Sequence, residues 1–471
     1  MATIDLDITR TGQVMQLIRD RIERRLLTPG ARLPSVRAMA ESTGFSKSTV
    51  VEAYDRLAAD GAIRARPGSG FYVAAPLSPL SLDRIGASIE REVDPLWMLR
   101  QSLNGRSEML KPGCGWLPDS WLAGAPIRKA LRAVARSDAD GPLTAYASSL
   151  GAPSLRVLLA RRLEEQGVGA APDQILLTDS STQALDLVSR FLLEPGDTVL
   201  VDDPCYFNFL ALLRAHQAKV VGIRMTPTGP DMAAFAAALV EHRPRFYLTN
   251  SAIHNPTGAM LSAATAHRLL KLADAHDLVI VEDDIFADFE HIQAPRLAAF
   301  DGLDRVIRIG SFSKSVTAAI RCGHIAARPD WIEALADLRI ATSMSGNPLS
   351  AEILHAVLTD GGYRRHIEGM RTRLARATAR TMKRLRDVGI EPWIEPAAGL
   401  FIWGRLPGGL DATDLARAAL AEDIVLAPGN VFSTSGIWGD YCRFNVVMSD
   451  DDRVSAFLAK ACGGFAHQPV S

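Results

Sequence analysis

The chain has 471 residues, of which 48% are hydrophobic and 22% charged, and its formal net charge at pH 7 is −1. This length exceeds one ordinary hydrophobic core, so we expect two or three globular domains rather than a fibrous or disordered chain. No apolar run reaches the roughly 18 residues of a membrane span, and no secretory signal is visible, which predicts a cytoplasmic protein without a membrane partner. The five cysteines are scattered without metal-ligand spacing, so neither disulfides nor a metal site is expected.

Basic residues are concentrated near the N-terminus. They outnumber acidic residues between residues 10 and 73, whereas the rest of the chain is acidic overall. A basic block on an acidic body is typical of a DNA-contacting module joined to a separate domain. A solvated helical surface would explain the charge alone equally well.

The elements of this basic block follow one another in a recognisable order. Apolar residues at helical spacing from Val14 to Leu26 predict a first helix that ends by Pro29-Gly30. Ser35 is the predicted N-cap of a second helix over 36–41, and a third helix opens at Ser46. Its apolar face is predicted to be Val50, Val51, Tyr54 and Leu57. Two short β-prone runs around a turn at 67–70 then predict a hairpin, which gives a winged helix-turn-helix.

A third helix of this kind can enter the major groove of DNA by its N-terminal end, while the wing reaches the backbone. The predicted DNA contacts are Arg37, Ser46, Lys47, Ser48, Thr49, Arg64 and Arg66. A small helical bundle without a nucleic-acid role is the alternative. The polar, basic start of the third helix and the glycine-rich wing argue against it.

Residues 34–73 resemble the winged-helix domain of the GntR family of bacterial regulators. The matching stretches are Leu33–Arg37, Ser46–Val50, Asp60-Gly61 and Gly68–Phe71. Family members often have arginine where this chain has Lys47, a difference that keeps the charge but loses bidentate base recognition. We expect this domain to span residues 8–75, followed by a Pro- and Ser-rich linker over 76–104 and an effector domain over 105–471.

Strand-like apolar runs alternate with helical patterns in the long C-terminal part. The predicted strands are 174–178, 198–201, 245–249, 278–281 and 305–309, and helices are predicted over 181–191 and 206–216. Such alternation predicts an α/β domain with a mostly parallel sheet covered by helices. Ligands of these sheets bind at the carboxyl ends of the strands.

Several polar residues follow those strand ends. The backbone at Ser181 and Thr182 could cradle a phosphate, although a simple helix cap is the alternative. Tyr206 could stack on a flat cofactor, and Asn255 could donate to a phenolate oxygen. A carboxylate buried after the 278–281 strand needs a cationic partner, such as a protonated pyridine nitrogen.

The segment Ser311–Ser315 carries the most informative residue, Lys314. A lysine in an apolar site or near other cations has a lowered pKa and can form an imine. Ser311, Ser313 and Arg321 could bind a phosphate beside it. A surface lysine would be the commoner outcome for this short motif alone.

The order and spacing of these residues resemble the fold-type I aminotransferases from about residue 110 to 460. The resemblance implies pyridoxal 5'-phosphate on Lys314, with Asp283 rather than Asp284 as the partner of its pyridine nitrogen; these two would be the catalytic residues. It also implies a substrate-carboxylate arginine, Arg443. The implied cofactor-binding residues are Lys314, Asp283, Asn255, Tyr206, Ser181, Thr182, Ser311, Ser313, Arg321 and Tyr146. Tyr146 resembles a tyrosine that reaches the phosphate of the neighbouring subunit, which implies a homodimer.

Two positions depart from the family pattern. A tyrosine that bonds the cofactor's phenolate oxygen is usual two or three residues after the aspartate, where this chain has Ile285 and Phe286. Glycine is usual in the phosphate loop where Ser180 stands. We expect cofactor binding to survive both changes, with weaker catalysis.

A GntR-type winged helix joined to an aminotransferase-like domain resembles the MocR subfamily of bacterial regulators. The resemblance implies a large mostly parallel-sheet domain and a small α+β domain. The small domain would be built from about residues 105–140 and 345–471. It implies a transcriptional regulator that binds operator DNA and senses an amino acid or amine through aldimine chemistry on Lys314. Two alternatives stay open: an active aminotransferase with an attached DNA-binding domain, and a regulator of vitamin B6 metabolism that senses pyridoxal phosphate itself.

Overall fold

The structure is a computed structural model that describes residues 9–23, 27, 31–66, 70–74, 93–104, 108–136 and 141–463. The chain divides into two compact units, Met1–Ile89 and Glu90–Ser471. Over these described ranges, no helix is both long enough and apolar enough to cross a membrane. No group of three or more His, Cys, Asp and Glu side chains in them is placed to hold a metal ion.

The N-terminal unit has the predicted order of elements. These are α1 (Arg10–Glu23), α2 (Val36–Thr43), α3 (Lys47–Ala59), β1 (Ile63–Arg66) and β2 (Gly70–Val73), with the two strands antiparallel. Ser35 caps α2 as predicted, since its side chain accepts from the Ala38 amide at 3.2 Å. Leu26, Pro29-Gly30 and the turn residues 67–69 lie outside the described residues.

The core of this unit differs from prediction at one position of α3. Val51 is 42% exposed, whereas Ala53 is fully buried. Positions 50, 53, 54 and 57 share one face of a helix, and position 51 is turned away from it. The buried core residues are Val14, Ile18, Leu33, Met39, Ala40, Val50, Ala53, Tyr54, Leu57, Ile63 and Val73.

The C-terminal unit contains the following helices: α4 (Pro95–Asn104), α5 (Gly124–Ala135), α6 (Gly141–Thr144), α7 (Pro153–Glu164), α8 (Ser181–Leu192), α9 (Phe207–Ala215), α10 (Met232–His242), α11 (Ala263–Ala275), α12 (Leu297–Asp301), α13 (Pro329–Ser343), α14 (Pro348–Thr359), α15 (Gly362–Asp387), α16 (Ala412–Ala421) and α17 (Asp452–Cys462). Its strands are β3 (Ile175–Thr178), β4 (Thr198–Asp203), β5 (Lys219–Thr226), β6 (Gly229–Pro230), β7 (Phe246–Thr249), β8 (Val279–Asp283), β9 (Val306–Ser311), β10 (Gly323–Ala326), β11 (Glu391–Pro392), β12 (Phe401–Arg405), β13 (Ala427–Pro428) and β14 (Tyr441–Asn445).

The large sheet has the strand order β3-β10-β9-β8-β7-β4-β5-β6. The pairs β5/β4, β4/β7, β7/β8 and β8/β9 are parallel, which confirms the predicted mostly parallel sheet. All five predicted strands are present, while β5, β6 and β10 were not predicted. The strand β10 is antiparallel to both its neighbours.

Helices cover both faces of this sheet, and side chains of successive strand residues enter different cores. On β8, Ile280 packs in one buried cluster and Val281 in the other. This alternation follows from the two-residue period of a strand. The parallel pairing of β4, β7, β8 and β9 brings their carboxyl ends to one edge, where the predicted site residues lie.

A second, antiparallel sheet has the order β11-β12-β14-β13. Buried residues of α15, α16 and α17 pack with it in a core of its own. We call these elements the small subdomain. The helices α5 and α14, which the sequence placed in the small domain, pack instead in the core beside the large sheet, through residues such as Ala130 and Leu354.

The helix α4 lies within the segment assigned to the linker. Trp97 and Met98 are buried against Phe207, Trp403 and Phe432 of the C-terminal unit. Residues 75–92 are outside the described ranges, so the predicted domain limits stay a prediction.

Candidate functional site

Lys314 follows β9 and is partly buried. Burial and the neighbouring Arg443 cation lower its pKa to about 8, against a smaller opposing effect of Asp283. A Cβ at Gly115 would lie 3.9 Å from Lys314 Nζ and 3.2 Å from the Phe401 ring, so glycine keeps the space beside the amine open. An amine with this pKa is uncharged part of the time near neutral pH, which makes it nucleophilic.

The three acidic residues after Val281 have different partners. Glu282 accepts the Leu297 amide at 2.8 Å and the Ala298 amide at 3.0 Å, and so caps α12. Asp284 accepts from Nε of both Arg296, at 2.7 Å, and Arg308, at 3.1 Å. Among the residues described, no arginine or lysine forms an ion pair with Asp283.

Because their partners differ, the pKa values of the two aspartates shift in opposite directions. Burial, together with the charge of Asp284, raises the pKa of Asp283 to about 7, although Lys314 and the Ile285 amide oppose the rise. Burial would also raise the pKa of Asp284, but Arg308 and Arg296 outweigh it and hold that pKa below its ordinary value. Of the two aspartates, Asp283 is therefore the one without a cationic partner among the described residues.

Arg443, on β14, is a buried cation with fixed geometry. Its Nη1 donates to Asn255 Oδ1 at 2.8 Å and its Nη2 to the Gly113 carbonyl at 2.7 Å. In the described part of the chain, its Nε has no hydrogen-bond partner. Burial lowers the pKa of Arg443 to about 10.

Three aromatic rings surround the Arg443 guanidinium, at distances of 4.3 Å for Phe401, 4.8 Å for Phe432 and 5.3 Å for Phe207. Since the Asn255 oxygen is taken by Arg443, the NH₂ of that amide is the end left to donate to another group.

Tyr206 joins this group from the loop between β4 and α9. Its ring packs against Phe207, with centroids 4.8 Å apart, and edge-on to Phe209, at 5.4 Å. Burial raises the pKa of Tyr206 to about 12, and both Arg443 and Asp283 are near enough to affect that pKa. The structure therefore brings Tyr206, Asn255, Asp283, Lys314 and Arg443 together.

The predicted phosphate-binding hydroxyls lie at two neighbouring chain turns. Ser180 caps α8 by accepting the Gln183 amide at 3.0 Å, so Ser181 and Thr182 occupy the first turn. The Ser311 and Ser313 hydroxyls are 3.0 Å apart. A Cβ at Gly323, which pairs with Ser311 in the sheet, would lie 2.9 Å from the Ser181 amide nitrogen, so the start of α8 lies against the strand next to Ser311.

Arg321 and Tyr146 lie further out. Both line an open surface depression with Asp179 and Asn347, and Tyr146 is 80% exposed. Arg321 has a φ of 51° in the left-handed region. No side-chain hydrogen bond joins either residue to Lys314 in the described structure.

Sequence reasoning missed one wall of the site, residues 113–116. Asn445 Nδ2 donates to the carbonyls of Cys114 at 2.8 Å and Trp116 at 2.7 Å. Burial raises the pKa of the Cys114 thiol, which Arg443 and Lys314 oppose from nearby. The signal that could have revealed this wall is the Gly-Cys-Gly sequence, because a Cβ at Gly113 would lie 2.4 Å from the Ala427 nitrogen.

The predicted DNA contacts gather at the start of α3. Ser46 caps this helix by accepting the Thr49 amide at 3.2 Å, and its hydroxyl is 2.8 Å from those of both Ser48 and Thr49. Lys47 is exposed beside them.

The remaining predicted DNA contacts are basic residues on other elements. Arg37 is exposed on α2 and pairs with Glu41 at 3.1 Å. Arg64 is exposed on β1, and the side chain of Arg66 lies outside the described residues.

Known families match both units. The aminotransferase class I and II family matches residues 116–457, and the gntR family of bacterial regulatory proteins matches residues 10–73. The HTH-type transcriptional regulator YdcR of Escherichia coli K12 is 30% identical over 94% of this chain and 96% of its own length. The probable rhizopine catabolism regulatory protein MocR of Rhizobium meliloti is 28% identical over 90% of this chain and 87% of its own.

Solved structures share the fold of the C-terminal unit. LysN, the α-aminoadipate aminotransferase of Thermus thermophilus, complexed with N-(5'-phosphopyridoxyl)-L-leucine, superimposes with a TM-score of 0.71. It is 26% identical, and the match covers 81% of this chain and 96% of LysN.

Proposed function

Because this chain belongs to the aminotransferase class I and II family and carries a GntR-family domain ahead of it, as in the MocR subfamily, we propose that it is a transcriptional regulator dependent on pyridoxal 5'-phosphate. In this proposal the winged helix binds operator DNA in the cytoplasm, and the C-terminal unit senses an amino acid or amine. The observation that carries it is the grouping of Lys314, Asp283 and Arg443 in one site, in which Arg443 bonds Asn255 and a Cβ at Gly115 would lie 3.9 Å from Lys314 Nζ.

The residues present fit this cofactor. Asp283 is a buried carboxyl without a cationic partner in the described structure. A protonated pyridine nitrogen of the cofactor would supply that partner. Lys314 supplies the amine, and the Asn255 NH₂ is left to bond the ring oxygen. The hydroxyls and amides that would hold the phosphate belong to Ser181, Thr182, Ser311 and Ser313, with Arg321 as their cation.

When bound, pyridoxal phosphate supplies an aldehyde carbon that reacts with amines and a ring that withdraws electrons. Lys314 is the residue that would bind that carbon, and its lowered pKa keeps part of the amine population unprotonated. Arg443 would orient a ligand carboxylate through the N–H groups that its bonds to Asn255 and Gly113 leave over, with Nε among them. Phe207, Phe401 and Phe432 exclude water around it, which strengthens the ion pair.

A ligand bound to Arg443 contacts the small subdomain, while Lys314 belongs to the large sheet. Ligand binding therefore favours one arrangement of the two, and DNA affinity changes by the difference in binding free energy between arrangements. Tyr146 is exposed and accessible to a second copy of the chain. We include a homodimer, in which Tyr146 reaches the neighbouring phosphate site, in the proposal.

The test is the visible spectrum of the cofactor-loaded protein during titration with the common amino acids, with keto acid measured in the same tube. A spectral change without keto acid is expected, and the amino acid that produces it is then added to a DNA-binding assay. The proposal would be overturned if no amino acid of the set changed either the spectrum or the DNA affinity.

An active aminotransferase is the second candidate. The grouping of Lys314, Asp283, Asn255 and Arg443 favours it, because transamination uses the same residues. Stoichiometric keto acid in the titration would support it. At the two positions after Asp284, Ile285 is partly buried and Phe286 packs 5.8 Å from Phe401, so both present apolar groups where the family has a phenol.

Sensing of the cofactor itself is the third candidate. It shares every residue of the site with the first, so the discriminating measurement is DNA affinity with and without pyridoxal phosphate in the absence of amino acids. A change caused by the cofactor alone would favour this candidate over amine sensing.

A further inference from the structure

The residue after Lys314 is held from two sides by one helix. The Ser315 carbonyl lies 2.9 Å from His366 Nε2, and its hydroxyl lies 3.3 Å from that of Tyr363. Ser315 and Tyr363 are both buried. Both partners belong to the first two turns of α15, so this helix fixes the main chain and the side chain next to the reactive lysine.

Tyr363 is itself firmly placed. Its hydroxyl donates to Asp288 Oδ2 at 2.7 Å, and Arg162 Nη2 donates to Asp288 Oδ1 at 2.6 Å. The Arg162 guanidinium also stacks over the Tyr363 ring, 5.3 Å from its centroid. The same phenol hydroxyl is also the donor to Ser315 Oγ, so its one proton lies between the Asp288 carboxylate, which is the nearer acceptor, and the Ser315 hydroxyl oxygen. A charge-assisted hydrogen-bond network therefore ends beside Lys314.

The same helix belongs to two cores. Tyr363 and Ile367 pack in the core beside the large sheet, whereas Met370, Leu374 and Leu385 pack in the core of the small subdomain. A helix whose hydrogen bonds are internal is stiff over this length. The helix α15 therefore connects the core of the small subdomain to Ser315 without a break.

From this arrangement we infer that Tyr363 is a positioning residue for Lys314, acting through Ser315, with His366 supporting the same segment. The inference rests on the proposed function in one respect: that function is the reason why the position of Lys314 matters. The competing explanation is that Tyr363 merely fills the core. A phenylalanine would do that equally well, so the hydroxyl is the group to remove.

The experiment uses the full-length protein without cofactor. An amine-reactive reagent labels the lysines over a range of pH, and mass spectrometry follows the peptide that contains Lys314. Tyr363→Phe is expected to change the labelling rate of Lys314 roughly threefold to tenfold, the scale of one hydrogen bond. The exposed Lys271 serves as the internal reference.

Two further variants test whether the effect depends on the contact between Tyr363 and Ser315. Thr372→Ala is the matched control, because it removes a hydroxyl of α15 that bonds only the Glu368 carbonyl. It should leave Lys314 labelling unchanged. Ser315→Ala should shift the labelling in the same direction as Tyr363→Phe, and the double variant should shift it no further.

Unchanged labelling in Tyr363→Phe would overturn the inference. So would an effect of Tyr363→Phe that is equally large with and without the Ser315 hydroxyl. Failure of the proposed function is distinct from both, because it would show as wild-type protein that gains no lysine-linked cofactor absorbance, whatever the labelling of the cofactor-free protein.

Discussion

Arg443 Nη1 donates a 2.8 Å hydrogen bond to Asn255 Oδ1, although the two residues are 188 positions apart. Arg443 belongs to the sheet of the small subdomain, and Asn255 follows β7 of the large sheet. The bond therefore joins the two sheets at the place where we propose that a ligand carboxylate binds. A ligand that engages Arg443 acts on a contact that both sheets share.

Arg443→Gln should weaken amino-acid binding by about 2–5 kcal/mol, the range for losing one partner of a buried charge pair. Cofactor loading should persist, because Lys314 and Asp283 are retained. The measurement is a titration of the visible spectrum with an amino acid and with a simple amine that lacks a carboxylate. Only the amino acid should lose affinity.

Arg405→Gln is the matched control for this prediction, because Arg405 is an exposed arginine on the neighbouring strand that pairs with Asp440 at 2.8 Å. It should bind both ligands as the wild type does. An equal loss for both ligands in Arg443→Gln would contradict the assigned role.

Lys314→Ala should abolish the visible absorbance of lysine-linked pyridoxal phosphate, because the only amine coupled to Asp283 and Arg443 in the described site is removed. Lys271→Ala, on the exposed face of α11, removes a lysine of ordinary surroundings and should keep the absorbance. A yellow Lys314→Ala protein, after dialysis to remove free cofactor, would show that another lysine holds it.

Asp283 makes stability depend on pH in the cofactor-free protein. Its folded pKa of about 7 lies above the ordinary value of 3.8, so between these pH values the folded state keeps a proton that the unfolded chain has lost. The free energy of unfolding should therefore fall as pH rises through this window, by on the order of 4 kcal/mol in total. Asp283→Asn cannot ionise, so it should flatten the dependence and be more stable than wild type at pH 8.

Asp284→Asn is the matched variant and should act in the opposite direction. Removing this carboxylate leaves Arg296 and Arg308 without their shared partner, which should cost about 3–5 kcal/mol at neutral pH. Urea unfolding of both cofactor-free variants at pH 5 and pH 8 measures the difference. Stability changes of the same sign at pH 8 would contradict the division of roles between the two aspartates.

Lys47→Ala should lower the salt dependence of DNA binding by about one unit in the slope of log affinity against log salt, if one phosphate contact is lost. Arg37→Ala should do the same. Fluorescence anisotropy with a mixed-sequence duplex at several salt concentrations gives the slope. Arg417→Ala makes the same charge change on α16 of the C-terminal unit and should leave the slope unchanged.

The sequence predicted that Lys314, Asn255 and Tyr206 follow strands, and the structure places them after β9, β7 and β4, because the apolar runs before them are short and bounded by polar residues. The strands β5 and β10 were missed for the converse reason: β5 contains lysine, glycine and arginine, and β10 has only four residues. The Gly113 wall was missed because Arg443, which binds its carbonyl, is 330 positions away. The choice between Asp283 and Asp284 depended likewise on Arg296 and Arg308, whose hydrogen bonds to Asp284 do not show in a sequence pattern.

The alternating direction of side chains along β8 makes the strand intolerant of a deletion. Glu282 shares a face with Ile280, and Asp283 shares the opposite face with Val281. Deleting Ile280 would set Asp284, away from its arginines, in the place of Asp283 and turn Val281 to the opposite core. Three consecutive acidic residues thus offer no redundancy, because each has its own surroundings: Glu282 caps α12, Asp284 pairs with two arginines, and Asp283, between them, is the carboxyl that we propose for the cofactor.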